Sequence, residues 1–116
     1  MPNKIFHEYI ADSIDLTLDD GSVLNMYPAG VLKKRLPSNI PYPIYWLSRI
    51  KVVTTKIGNG TFLMQRACEI ADEKRFAILL RINPYGDLTF RELKSFYEKH
   101  GFKTCSSTSL LLRTPI

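Results

Sequence analysis

The sequence predicts an α/β fold, a central mixed β-sheet with a βαβ core and two main helices. Three observations carry that expectation. An alternating apolar stretch with an Asp-Gly turn lies near the start, a strand–helix–strand succession fills residues 44–82, and a helix with clear start and stop signals occupies residues 89–101.

Ile14, Leu16 and Leu18 alternate with Asp15 and Thr17, the period of a half-buried strand. Asp19-Asp20-Gly21 supplies turn chemistry, so Ser22 to Tyr27 reads as the returning strand of a hairpin. Ile5 and Tyr9 fit either a further strand or a short helix. Pro28, Gly30, Pro37, Pro41 and Pro43 then punctuate a surface loop, because proline lacks the backbone donor that regular structure needs; Val31-Leu32 is one apolar anchor within it.

From Ile44 to Thr54 the residues become bulky and β-prone (Tyr45, Trp46, Ile50, Val52, Val53), as in a buried central strand. A glycine-bearing turn, Lys56-Ile57-Gly58-Asn59-Gly60, leads to a helix from about Thr61 to Lys74, with Leu63, Ala67, Ile70 and Ala71 on one face. Phe76 to Ile82 is apolar except for Arg81 and reads as a second buried strand, paired parallel to the first through a crossover. After the turn at Asn83-Pro84-Tyr85-Gly86, Thr89 and Glu92 form a capping box, Leu88 and Leu93 a hydrophobic staple, and Gly101 the left-handed cap. Leu93, Phe96, Tyr97 and His100 share a face of that helix, and Ser109 to Arg113 is a final strand.

A chain of 116 residues is one domain's worth, so residues 1–116 are expected to share one core. No apolar run approaches the ~20 residues that span a bilayer. The segment from Met1 to Glu8 lacks the apolar stretch and cleavage site of a signal peptide, which points to a cytoplasmic protein. Cys68 and Cys105 have neither Cys-x-x-Cys spacing nor paired histidines, so neither a metal site nor a disulfide framework is expected, and Cys68 reads as a small buried hydrophobe. The net charge of +5 is basic but dispersed. Lys33-Lys34-Arg35 near Tyr42 and Tyr45 is the one hint of a nucleic-acid surface; a solvated basic loop accounts for it better, and nucleic acid is not an expected partner.

The stretch from Ile50 to Met64 carries the most chemistry. Two glycines at a helix start let the backbone approach a ligand, and the first-turn amides and dipole favour an anion such as a pyrophosphate. The Gly-Lys-Ser/Thr sequence of a P-loop is absent, and a Rossmann site would need a third glycine and a longer chain.

This stretch resembles the acyl-CoA-binding segment of the GNAT (GCN5-related N-acetyltransferase) family, whose pattern is Gln/Arg-x-x-Gly-x-Gly/Ala before an apolar helix. Phe96-Tyr97-Glu98-Lys99-His100-Gly101-Phe102 resembles the family's late helix, with its Tyr-Glu-x-x-Gly-Phe phrase. The resemblance covers roughly residues 44–116 and implies a fold that holds acetyl-CoA. It implies that the strand backbone at Val52, Val53 and Thr54 binds the pantetheine arm. The amides of Lys56, Ile57, Gly58, Asn59, Gly60 and Thr61 would cradle the pyrophosphate, and Tyr97 would protonate the departing thiolate as general acid. Asn83 is a further candidate for the pantetheine, with turn initiation before proline as its plainer role. A backbone amide would polarise the acetyl carbonyl, and direct transfer to an amine would need no metal.

Three departures from the family pattern stand out. Thr55 replaces the long Gln/Arg donor, Phe90 stands where an asparagine is usual, and the tight Asp-Gly turn leaves no room for the two helices that ordinarily wall the acceptor site. An open site suits a protein amine better than a small molecule. No general base is assigned: water could deprotonate an exposed amine, and His7 or Glu8 could help; for His100 a dipole-compensating surface role fits as well as that of a base. The two readings are an acetyltransferase whose amine acceptor the sequence does not identify and a catalytically silent scaffold that binds and modulates another protein, such as a host protein; so compact a version suits a bacteriophage-encoded chain.

Overall fold

The computed structural model describes residues 5–10, 12–29, 40–53, 58–82, 89–105 and 107–116. In chain order the elements are β1 (Ile5–Ile10), β2 (Ser13–Leu18), β3 (Val23–Pro28), β4 (Ile44–Lys51), α1 (Asn59–Lys74), β5 (Ala77–Arg81), α2 (Phe90–Lys99), β6 (Lys103–Cys105) and β7 (Ser107–Arg113). The strands form one sheet in the order β1-β2-β3-β4-β5-β7-β6. Every neighbouring pair is antiparallel except β4 and β5, which run parallel on either side of the crossover through α1. This is the mixed sheet with a βαβ core and two helices that the sequence predicts.

Alternation decides the faces. Ile14, Leu16 and Leu18 of β2 and Leu24 and Met26 of β3 are buried on one face, where Leu63, Met64 and Ile70 of α1 and Tyr97 of α2 complete the main core. Both helices therefore cover the same side. On the other side Ala29, Ile44, Ala77 and Leu79 make a smaller cluster, against which Tyr42, Trp46 and Leu112 pack. β5 supplies both clusters, which explains its continuous apolar run.

The Asp-Gly turn closes as expected, with Gly21 N–H donating to Leu18 C=O at 3.0 Å and Leu18 N–H to Ser22 C=O at 2.9 Å. The ambiguous Ile5–Tyr9 segment is a strand, paired with β2 from Ile5↔Leu18 to Ile10↔Ser13. β1 gives way to β2 within residues 11–12, so neither hairpin has room for intervening helices.

Several boundaries differ from expectation, and one strand was not expected; β7, for one, starts at Ser107 rather than Ser109. β4 ends at Lys51 rather than Thr54, because Val53 N–H is diverted to Ser22 Oγ at 3.0 Å. α1 starts at Asn59, earlier than Thr61, since Gly58 turns the chain at a left-handed φ of 75° just before it. β6 is a strand that sequence reasoning missed; at three residues it is too short to show a period.

The start and end of α2 obey their signals. Thr89 Oγ1 accepts from Glu92 N–H and Glu92 Oε1 from Thr89 N–H, the reciprocal capping box. Leu88, half of the expected staple, lies outside the described residues. Past the end, Gly101 N–H donates to Glu98 C=O at 3.1 Å and Phe102 N–H to Tyr97 C=O at 3.3 Å. That is a Schellman motif, and the edge-to-face contact of Tyr97 with Phe102 (5.8 Å between ring centres) is its hydrophobic clasp.

Arg113 of β7 joins the elements of the second half. Its side chain is 4 % exposed, with two nitrogens on the Asp72 carboxylate of α1 at 3.0 and 3.1 Å and Nε donating to His100 C=O at 2.8 Å. The hydrogen bonds from Arg113 hold the Asp72 carboxyl below its usual range. Asp72→Ala would leave a buried guanidinium without its counter-charge and is expected to cost about 3 kcal/mol in urea unfolding. A loss below about 1 kcal/mol, the value of a solvated pair, would contradict this packing. Because the folded pKa is depressed, the carboxylate's contribution is complete above pH ~4 and lost as pH falls through the folded value. The gap in stability between wild type and Asp72→Asn is therefore expected to close in acid.

Candidate functional site

The sheet opens between β4 and β5. Their parallel ladder comprises Ile44↔Ala77, Tyr45↔Ile78 and Trp46↔Leu79, yet β4 continues through residues 47–51 and β5 through 80–81. The cause lies in β4. Its register with β3 slips between Met26↔Leu47 and Asn25↔Arg49, so Ser48 is the extra residue of a bulge, its hydroxyl donating to Asn25 C=O at 3.2 Å. A bulge bends its strand and increases the local twist. On the β5 side, the backbone of residues 47–51 thus lies outside the β4–β5 ladder.

α1 begins just past the carboxyl end of this opened strand, and its start differs from that of α2. Gly58, the N-cap, makes no side-chain cap bond, and the first turn contains no acid. Helical bonding starts with Phe62 N–H to Gly58 C=O at 3.0 Å, so the amides of residues 59–61 precede the ladder. The end of the ladder and a helix start without a side-chain cap thus lie near the carboxyl end of β4, the region where α/β sheets commonly bind ligands.

The expected cofactor residues fall into three groups. Thr54, Lys56, Ile57 and Asn83 lie outside the described residues, as do Thr55 and the Lys33–Arg35 cluster. Gly58, Asn59, Gly60 and Thr61 stand together at the start of α1, with Gly58 and Thr61 exposed. Val52 and Val53 are past the end of β4 rather than on its open edge, and the Val53 amide is already bonded to Ser22. The strand segment beside the opening is residues 47–51. A trace of it was legible in the sequence: Leu47 and Ile50 are three apart, breaking the even spacing of a regular strand.

Local packing also explains two residues of the loop. A Cβ on Gly60 would sit 3.3 Å from Val52 Cγ2 and 3.8 Å from Phe96 Cζ, so this glycine lets α1 pass close to the strand end and to α2. Asn59 is buried, and its Nδ2 donates to Asp20 Oδ2 at 2.6 Å.

Tyr97 is 7 % exposed and packs edge-to-face on Phe96 and Phe102. Phe90 is half-buried against the same core. Burial, then the charges of Arg113 and Lys99, lower the pKa of His100 and so favour its neutral form. Arg66 Nε donates to His7 Nε2 at 3.1 Å, which engages that imidazole lone pair. Burial pushes the Cys68 thiol up to about 11, in keeping with a buried apolar role. Tyr45 stacks on Phe76 at 4.2 Å, and Arg75 lies over the Tyr42 ring, so neither tyrosine is a bare platform for bases.

No family model and no curated protein matches this chain. Among solved structures it is similar to the anti-CRISPR protein AcrVA5, with a TM-score of 0.67 and 19 % identity over 88 % of this chain and 98 % of that one. At that identity the likeness is one of fold, and it accords with the mixed α/β architecture expected from the sequence.

Gly58 isolates a backbone role: among the described residues no heavy atom lies within 4 Å of an added Cβ, and φ is +75°. Gly58→Ala is expected to cost about 1 kcal/mol through the left-handed backbone alone, and Gly58→Asn less, since asparagine tolerates that region. Equal stability of glycine and alanine in thermal unfolding would contradict this conformation.

Proposed function

We propose that this chain binds acetyl-CoA in the opening between β4 and β5 and transfers the acetyl group to an amine of a protein acceptor. The early end of the β4–β5 ladder beside an uncapped helix start carries the reading. The two features suit the two halves of the ligand. A pantetheine arm contains amides that can pair with the edge of residues 47–51, and a pyrophosphate suits the amides and positive dipole end at residues 59–61. Transfer then needs an attacking amine nitrogen, cleavage of the thioester C–S bond and a proton for the departing thiolate. A β4 backbone amide would stabilise the carbonyl oxygen as charge develops there. In this reading Tyr97 supplies the thiolate's proton from the edge of the core.

The protein acceptor is argued from access. Both helices cover the face that carries Leu16 and Leu24, which leaves Asp15, Asn25 and Arg49 on the other side of the sheet with no described helix over them. The fold's occurrence in an anti-CRISPR protein makes a component of a CRISPR system the acceptor to test first, which fits a bacteriophage-encoded chain acting on its host. A second reading keeps the scaffold and drops the chemistry. It is favoured by Tyr97, whose burial and place in the Schellman motif explain it without catalysis.

Calorimetry with acetyl-CoA, and with desulfo-CoA and ATP as controls, separates the readings. Saturable binding confined to the CoA series is expected; absence of binding at millimolar ligand would favour the silent scaffold. Tyr97→Phe is expected to lower CoA release by about 100-fold with affinity nearly unchanged, the usual worth of a general acid. Unaltered turnover would remove Tyr97 from the chemistry.

A further inference from the structure

The β2–β3 turn holds a polar cluster that the reading above does not use. The Asp20 carboxylate accepts Ser22 N–H on Oδ1 at 2.9 Å and Asn59 Nδ2 on Oδ2 at 2.6 Å. Ser22 is fully buried, and its Oγ accepts Val53 N–H at 3.0 Å. Val53 and Asn59 flank residues 54–58, the connection from β4 to α1. One turn, far off in sequence, thus grips the chain on both sides of that connection.

We propose that Asp20 is a positioning residue: through Asn59 on one side and Ser22 on the other, it sets the span between the end of β4 and the start of α1, and so the placement of the amides of residues 59–61. The link to phosphate rests on the function proposed above; the grip itself does not. Each contact is short, and two of its polar partners, Ser22 and Asn59, are buried, 0 % and 4 % exposed, where a lost hydrogen bond is not readily replaced by water. The hydrogen bonds from Ser22, and that from Asn59, hold the Asp20 carboxyl below its usual range, so it is ionised at neutral pH. A carboxylate near an anion-binding helix start is electrostatically adverse to a pyrophosphate. Its presence there is accounted for by geometry.

That opposition of charge and geometry supplies the test. Asp20→Asn removes the negative charge and keeps the turn's bond to Ser22 N–H, but its single carbonyl oxygen cannot also accept from Asn59. Adding Asn59→Asp to it restores a donor–acceptor pair with the direction reversed. Amide hydrogen exchange of the free proteins is the first readout. In Asp20→Asn the amides of Phe62 and Leu63 are expected to exchange roughly tenfold faster, about the effect of losing one charge-assisted hydrogen bond. The double variant is expected to recover, with α2 amides constant throughout. Unchanged α1 exchange in Asp20→Asn, or equal acceleration in α2, would overturn the grip.

Calorimetry with CoA is the second readout. A positioning role predicts weaker binding in Asp20→Asn by roughly five- to tenfold despite the lost negative charge. Tighter binding would mean that charge dominates and would overturn the link to phosphate. If the wild type binds no CoA, the proposed function fails and takes the phosphate link with it, while hydrogen exchange still decides whether Asp20 sets the span.

Discussion

The structure turns on the point where β4 stops pairing with β5. Two parallel strands with a crossover helix would ordinarily stay together, and a continuous ladder would satisfy their backbone groups on both sides. Here the extra residue Ser48 bends β4, and the ladder ends after Trp46↔Leu79. The result is a polar edge inside an otherwise well-buried sheet. An opening of this kind is stable only if the elements on either side of it are held independently, and the remaining long-range contacts do that.

α1 is fastened at both ends. At its start Asn59 meets Asp20, and Gly60 allows close contact with Val52 and Phe96. Near its end Asp72 receives the Arg113 guanidinium, which also reaches the carbonyl of His100, the C-cap of α2. The same arginine therefore locks β7 and both helices. Between these fastenings the buried face of α1 lies on the core formed by β2, β3 and β5. Rigid flanks on either side of the point where the ladder ends are suited to holding an extended ligand with little reordering of the protein.

Much of this architecture was legible in the sequence because its signals are local. The capping box at Thr89 and Glu92, the period of Ile14, Leu16 and Leu18, and the apolar run at Ala77–Leu80 each act within a few residues. What escaped depends on contacts between distant residues. The end of β4 at Lys51 follows from a bond to Ser22, and the role of Asp20 follows from Asn59 on another element. Tyr97 shows a further ambiguity. The Tyr-Glu-x-x-Gly-Phe phrase matches both a catalytic motif and a Schellman cap, and the observed contacts are those of the cap. The glycines divide similarly: Gly58 is required by its left-handed backbone, Gly60 by the nearness of Val52.

The most direct measurement is an amide NMR titration of the isotopically labelled protein with CoA. The account predicts that saturable shifts gather in two segments, residues 47–51 on the open edge of β4 and 59–61 at the start of α1, while the α2 cap at residues 100–102 stays nearly still. Shifts confined to other surfaces, or none at saturating ligand, would contradict the assignment of the opening between β4 and β5 as a CoA site.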